Sequence, residues 1–247
     1  MTPTPPSSSP APLLLALSGP TSSGKTTLAR HLLAVFPHAS VLHCDDFYLP
    51  EAQLPTRHGL LDWDCAASLD LAKLLSALRR IKAGEDVEAV KDGVESMEVP
   101  ADERQGGVTP EVVRELREYG VRGGGQRHVV IIDGFLLLGN SVKEIREQCD
   151  VKVLLRATYD DAKRRREGRS GYATLEGWWE DPPGYFDKVV WPNYVDEHGF
   201  LFVDGDVEGT VNEETTGKLG ISVAPSMGEP SLERTLRWLV DMIQKRM

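Results

Sequence analysis

The sequence predicts an α/β fold, a doubly wound parallel five-stranded sheet flanked by helices, on three observations. Three short apolar runs rich in Val, Leu or Ile recur, Leu13 to Ser18, Ser40 to His43 and His128 to Asp133, with two more at Asp150 to Arg156 and Gly199 to Val203. Unbroken apolarity, without polar alternation, means that both faces of each strand are covered, as in a parallel sheet between helical layers. Amphipathic helical patterns fill the intervals, and a glycine-rich loop joins the first run to the first helix.

Taken in order, residues 1–12 are mostly Pro, Ser and Thr, cannot bury a core, and read as a disordered tail. Residues 13–247 read as a single domain. After the strand at Leu13 to Ser18, a helix is expected from Lys25 to Phe36, then the strand at Ser40 to His43. Leu69, Leu71, Leu74, Leu75 and Leu78 mark a helix within Ala66 to Ala83. Residues 84–126, acidic and glycine-containing, read as a surface excursion holding a helix at Pro110 to Tyr119. His128 to Asp133 is the third strand, Ser141 to Gln148 a helix and Asp150 to Arg156 the fourth strand. A helix at Thr158 to Gly168 opens a lid segment over 157–186. Gly199 to Val203 is the expected fifth strand. Residues 209–230, a mixture of Gly, Glu, Thr, Ser and Pro, read as a long loop before the last helix, Ser231 to Arg246.

Composition narrows the function. With 247 residues, 40% apolar and 27% charged, the chain can bury a core without staples. Its 28 basic and 38 acidic side chains give a net charge of -10, which argues against nonspecific binding to nucleic acid or anionic membrane, so any anion must be held at a local site. Cys44, Cys65 and Cys149 are odd in number and lack CxxC spacing, so neither a disulfide framework nor a zinc cluster is written here. Ala11 to Leu17 has no charged flank before it and runs into the glycine loop, so it reads as a buried strand and not as a signal peptide. A cytoplasmic protein is expected, with nuclear entry left open.

Gly19-Pro20-Thr21-Ser22-Ser23-Gly24-Lys25-Thr26 fits GxxxxGK[ST]. In such a P-loop, backbone N–H groups cradle phosphates, Lys25 reaches the β and γ groups, and Thr26 holds Mg2+. The following helix turns its positive N-terminal end toward the same anion. Asp45 and Asp46 follow the second strand and Asp133 ends the third. The carboxyl ends of parallel strands share one rim, so Asp45 and Asp133 should converge on the phosphate loop, where a carboxylate either accepts a proton from an attacking hydroxyl or holds the metal. The competing reading is that these aspartates cap the next segment. Lys163, Arg164, Arg165, Arg166 and Arg169 form the densest positive patch, either a solvated helix face or a set of charges closing over a nucleotide. Trp63-Asp64 suits a nucleoside, a ring for the base and two oxygens for a ribose diol.

The stretches Leu17 to Thr27, His43-Cys44-Asp45-Asp46-Phe47-Tyr48, Trp63-Asp64, Val130 to Phe135, Lys163 to Arg166, Arg169 to Tyr172, Asp181-Pro182-Pro183-Gly184-Tyr185-Phe186-Asp187 and Val203 to Gly209 occur together, in this order. In them the sequence resembles the nicotinamide riboside kinases of the fungal type, within the uridine-kinase-like P-loop kinases. The resemblance implies an ATP-dependent nucleoside kinase: a P-loop NTPase fold with a lid, making nicotinamide mononucleotide from nicotinamide riboside for NAD salvage, with nicotinic acid riboside open as a second acceptor. It implies Asp45 as general base, with Thr26, Asp45 and Asp133 at Mg2+. It places Gly19, Thr21, Ser22, Ser23, Gly24, Lys25, Thr26, Thr27, Arg165, Arg169, Asp206 and Glu208 with ATP. It places Asp64 and Arg166 on the ribose hydroxyls, Trp63 and Tyr172 about the nicotinamide ring, and Asp46 and Tyr48 with the substrate. A monomer or weak dimer is expected. The alternatives are a uridine or cytidine kinase, or a non-catalytic nucleotide-binding switch; against the switch, the sequence has no [NT]KxD segment to read guanine.

Overall fold

The structure, a computed structural model, describes residues 10–91, 107–122, 127–174, 177–224 and 232–247. In chain order the elements are β1 (Leu13–Ser18), α1 (Lys25–Val35), β2 (Ala39–His43), the hairpin β3 (Thr56–Arg57) and β4 (Leu60–Leu61), α2 (Leu71–Lys82), α3 (Val87–Val90), α4 (Pro110–Arg122), β5 (Val129–Asp133), α5 (Lys143–Gln148) and β6 (Val151–Leu154). Then come α6 (Tyr159–Glu167), the hairpin β7 (Tyr172–Thr174) and β8 (Gly177–Trp179), a π-helical turn (Phe186–Val190) running into α7 (Trp191–His198), α8 (Glu213–Leu219), β9 (Ile221–Val223) and α9 (Leu232–Gln244).

Five strands form one parallel sheet in the order β2-β5-β1-β6-β9. Alternate residues of β1 serve opposite faces, as the strand period requires. Leu14 and Ala16 pack with Leu42, Val130, Ile132 and Leu154 against Leu74, Leu78 and Ile81 of α2. Leu13, Leu15 and Leu17 pack on the other face against Leu28 and Leu32 of α1 and Leu236, Leu239, Val240 and Ile243 of α9. Both faces are dry, as the continuous apolar runs predict.

Local signals set the helices. Asp70 caps α2 by accepting from the Lys73 N–H at 2.9 Å, and Arg79, Arg80 and Lys82 sit in its last turn, opposite in sign to the dipole there. Thr158 caps α6 by accepting from the Asp161 N–H at 3.2 Å. In α6 the buried residues are Ala162 and Arg166, four apart and so on one face, which aims Arg166 alone of the basic run into the protein.

Two expectations are corrected. Gly199 to Val203 is not a strand of the sheet: it forms 3-10 turns at Gly199–Leu201 and Val203–Gly205, with Leu201 and Phe202 buried in the core and Phe202 in an isolated antiparallel bridge to Val211. Burial made that run apolar, not sheet pairing. The fifth strand is β9, which lies with α8 inside the expected loop 209–230. Asn212 caps α8 by accepting from the Thr215 N–H at 3.0 Å, and Gly220, at φ 64°, takes the left-handed turn that ends it. Ile221, Ser222 and Val223 then pair with β6, a run too short to stand out as a strand among the surrounding Gly, Glu, Thr, Ser and Pro. Of the excursion 84–126, α3, α4 and their flanks are described; 92–106 and 123–126 lie outside the described residues, as do 1–9 of the tail, 175–176 of the lid and 225–230 of the loop.

Replacing residues 213–223 by a short glycine linker should therefore uncover the β6 edge and yield aggregating or strongly destabilised protein, read by size-exclusion recovery and Tm. Asn212→Ala should cost about 1 kcal/mol, a Tm fall of roughly 2–4 °C in a chain of this size. Unchanged Tm in both would mean that the segment does not pack.

Candidate active site

Parallel register brings the strand ends to one rim. Asp133 pairs with Leu17 of β1 and with His43 of β2, so the glycine loop, the turn after β2 and Asp133 start at one level. The loop takes backbone that side chains resist: Gly19 has φ 147° and Gly24 φ 93°. A Cβ on Gly19 would stand 2.6 Å from the Leu155 carbonyl oxygen, so only glycine fits there. Lys25 Nζ donates to the carbonyls of Gly19 at 3.0 Å and Pro20 at 2.8 Å, folded back along the loop.

Behind the loop, the Thr26 hydroxyl donates to Asp133 Oδ2 at 2.7 Å, and His43 Nδ1 lies 3.2 Å from the same oxygen. Asp45 is exposed and lines the same cleft as Lys25 and Asp133. Lost hydration, then the negative charge of Asp133, raise its carboxyl to about 6. Lys25 moves the other way, to about 8: burial lowers it, Asp133 and Asp45 oppose, and the Arg169 guanidinium pushes it down further. The site thus sets cations against each other, a repulsion that a polyphosphate would relieve.

Arg166, 6% exposed, is the centre of the other half. Its Nη1 and Nη2 donate to Asp64 Oδ1 and Oδ2 at 2.7 and 3.0 Å, while Nε and Nη2 donate to Asp181 Oδ2 and Oδ1 at 2.6 and 3.1 Å. Two carboxylates from separate segments thus grip one guanidinium by paired bonds. Burial alone would lower its pKa, but Asp64 and Asp181 outweigh burial and hold it firmly charged. Tyr172 covers it at 5.0 Å and Tyr185 at 5.5 Å. Trp63 packs edge-on to Tyr48, with centroids 5.4 Å apart, and tilted to Trp179 at 5.8 Å.

The phosphate loop, Asp45, Asp133, the Asp64–Arg166 pair and the aromatics Tyr48, Trp63, Tyr172 and Trp179 line one cleft. The cleft brings together Thr21, Ser22, Gly24, Lys25, Thr26, Thr27, Asp45, Tyr48, Trp63, Asp64, Asp133, Arg166, Arg169 and Tyr172 of the residues expected from sequence. Gly19 and Ser23 belong to the loop's backbone, and Arg165 reaches it from α6 through a 3.4 Å bond to the Ser22 carbonyl. Asp46 is buried behind Asp45 and does not line the cleft. Asp206 and Glu208 do not line it either: Asp206 accepts from the Glu208 N–H, and Glu208 accepts from the Tyr159 N–H at the start of α6. Sequence reasoning missed Phe135 and Trp179, which line the cleft, and the role of Asp181. For Asp181 a signal existed: it opens the Asp181-Pro182-Pro183-Gly184-Tyr185 stretch.

Among the described residues no helix is long and apolar enough to cross a membrane. No family model matches the chain. Among curated proteins, the nicotinamide riboside kinase of Schizosaccharomyces pombe is 35% identical over 237 residues, covering 94% of this chain and 96% of its own. The Saccharomyces cerevisiae nicotinamide riboside kinase is 36% identical over 203 residues, 81% of this chain and 83% of its own. Human nicotinamide riboside kinase 1 is 31% identical over 183 residues, 74% of each chain. With relatives more than 30% identical over more than two thirds of both chains, the chain belongs to the nicotinamide riboside kinase family.

Proposed function

We propose that this chain is an ATP-dependent kinase that transfers the γ-phosphate to the ribose 5'-hydroxyl of nicotinamide riboside, giving nicotinamide mononucleotide for NAD salvage. The observation that carries the reading is that one cleft holds both halves of the reaction. A phosphate loop with Lys25 and Thr26 adjoins a buried Asp64–Arg166 pair walled by aromatics, and Asp45 stands in the same cleft.

In this reading Asp45 accepts the proton of the 5'-hydroxyl as it attacks in line. A carboxyl raised to about 6 remains ionised at neutral pH yet is a better base than an ordinary aspartate. Lys25 swings from the loop carbonyls onto the β and γ phosphates, and Arg165 and Arg169 add positive charge from the lid side. Asp64 keeps acceptor lone pairs for the ribose diol because Arg166 fixes its orientation without exhausting them. Trp63 and Tyr172 cover the base. Thr26, Asp45 and Asp133 fit Mg2+: a hydroxyl and two carboxylates are hard oxygen donors, and Thr26 and Asp133 already stand 2.7 Å apart. When bound, Mg2+ would neutralise charge on the β and γ phosphates. The free thiols Cys44, Cys65 and Cys149 suit the cytoplasm.

Asp45→Asn should retain the wild-type Tm and ATP binding while lowering kcat by about 10² or more. A near-normal kcat would remove Asp45 from the base role. In a panel of nucleosides with ATP and magnesium, indole stacking should favour the pyridinium nucleoside over uridine and cytidine by about 0.5–2 kcal/mol. Trp63→Leu should then lower kcat/KM for nicotinamide riboside several-fold more than for the neutral nucleosides. Equal losses would mean that Trp63 only shapes the pocket.

A further inference from the structure

The three-residue stretch that carries Asp64 is held by a second, hidden carboxylate. Asp62 is 4% exposed and Asn193 of α7 is 5% exposed. The Asn193 Nδ2 group donates to Asp62 Oδ1 at 2.8 Å and Oδ2 at 2.9 Å, and Asp62 Oδ1 in turn accepts from the Asp64 backbone N–H at 3.0 Å. Arg57, on β3, donates to Asn193 Oδ1 and, at 3.0 Å, to Asp196. The amide therefore cannot flip without setting Arg57 donor against donor. The direction of every bond in the chain Arg57, Asn193, Asp62, Asp64 is fixed.

We propose that Asp62 and Asn193 are positioning residues for the acceptor nucleoside: they set the backbone of Asp64 and so the presentation of its carboxylate to the ribose. The inference rests on Asp64 as the ribose ligand. Arg166 holds Asp64 by its side chain and Asp62 holds it by its main chain, so the carboxylate is fixed from both ends. Both arms come from one segment of the chain, since Asp181 grips Arg166 and Asn193, twelve residues on, grips Asp62. A buried carboxylate deprived of a donor must find another partner, and moving it drags the Asp64 N–H along. The phosphate loop lies outside this network, so the effect should be confined to the riboside.

The experiment is a reciprocal swap. In Asp62→Asn the new amide turns a donor toward the Asn193 donor; in Asn193→Asp two carboxylates face each other. Each single variant should raise the riboside KM by roughly five- to thirtyfold, while KM for ATP and kcat at saturation stay within about twofold. The double variant D62N/N193D restores alternation: the carboxylate now at position 193 accepts from Arg57 and from the amide now at position 62, whose carbonyl oxygen accepts from the Asp64 N–H. It should return the riboside KM to within about threefold of wild type, a coupling that a merely structural role does not produce. Should either single variant not fold, the double variant and Arg57→Met, which frees only the outer end of the chain and should raise the riboside KM by less, carry the test. Single variants with unchanged riboside KM, equal rises for ATP, or a double variant no better than the singles would overturn the proposal. The wild type separates this from the reading it rests on. If it does not phosphorylate nicotinamide riboside, that reading fails, and the same variants are scored on whichever of uridine or cytidine it does use.

Discussion

The guanidinium of Arg166 is the constraint on which the site depends. An arginine 6% exposed is tolerable only when its donors are met, and here Asp64 and Asp181 meet them from two different parts of the chain. Removing one partner of such a buried pair typically costs about 3–5 kcal/mol. The pair is therefore a poor source of stability but a strong specification of geometry. It ties the end of α6 to the stretch after β4 and to the segment after β8, and so decides where the lid sits over the sheet.

The parallel sheet does the same for the phosphate half. Its register sets Leu17, His43 and Asp133 abreast, which leaves no freedom in where the glycine loop begins. Thr26 is then within bonding distance of Asp133 although 107 residues separate them. Opposite charges are held near one another but not neutralised: Lys25 rests on carbonyl oxygens and Asp133 on a hydroxyl and an imidazole. Groups so placed are preorganised for a charged ligand, because little has to be broken before they can turn to it.

Much of this is legible because the sheet's physics writes itself into composition. A strand buried on both faces must be largely apolar, and β1 and β5 are up to their last residues, while β6 admits the partly buried Lys152. An edge strand of three residues obeys no such rule, so β9 reads as loop in the sequence, while Gly199 to Val203, apolar because it packs, reads as strand. The phosphate loop, Asp45 and Asp64 are legible because each follows a strand end or an aromatic at short range. The inward arginine is not legible in the spacing of the basic run: only the family resemblance names Arg166 from sequence, and in the structure Ala162 and Arg166 are the buried residues of α6. Nor is Asn193 legible: its partner Asp62 is 131 residues away, and hydrogen-bond complementarity leaves no trace in periodicity.

Charge explains how an acidic protein takes one polyanion and one cation into the same cleft. The net charge of -10 is felt over about a Debye length, roughly 8 Å at physiological ionic strength, beyond which salt removes it. Inside that distance the local groups decide. Lys25 and the N-terminal end of α1 stand at the phosphate-loop end, where a helix N-terminus favours an anion. At the other end the carboxylates of Asp64 and Asp181 share the Arg166 guanidinium, and Arg169 lies over Tyr172 at 5.5 Å, so charges of both signs stand close to the aromatics. A pyridinium nucleoside has its positive charge on the ring and its reacting hydroxyl on the ribose. On the proposed reading it lies with its ring among the aromatics and its hydroxyl toward the phosphate loop, where Asp64 balances the ring's charge and Lys25 meets the phosphates.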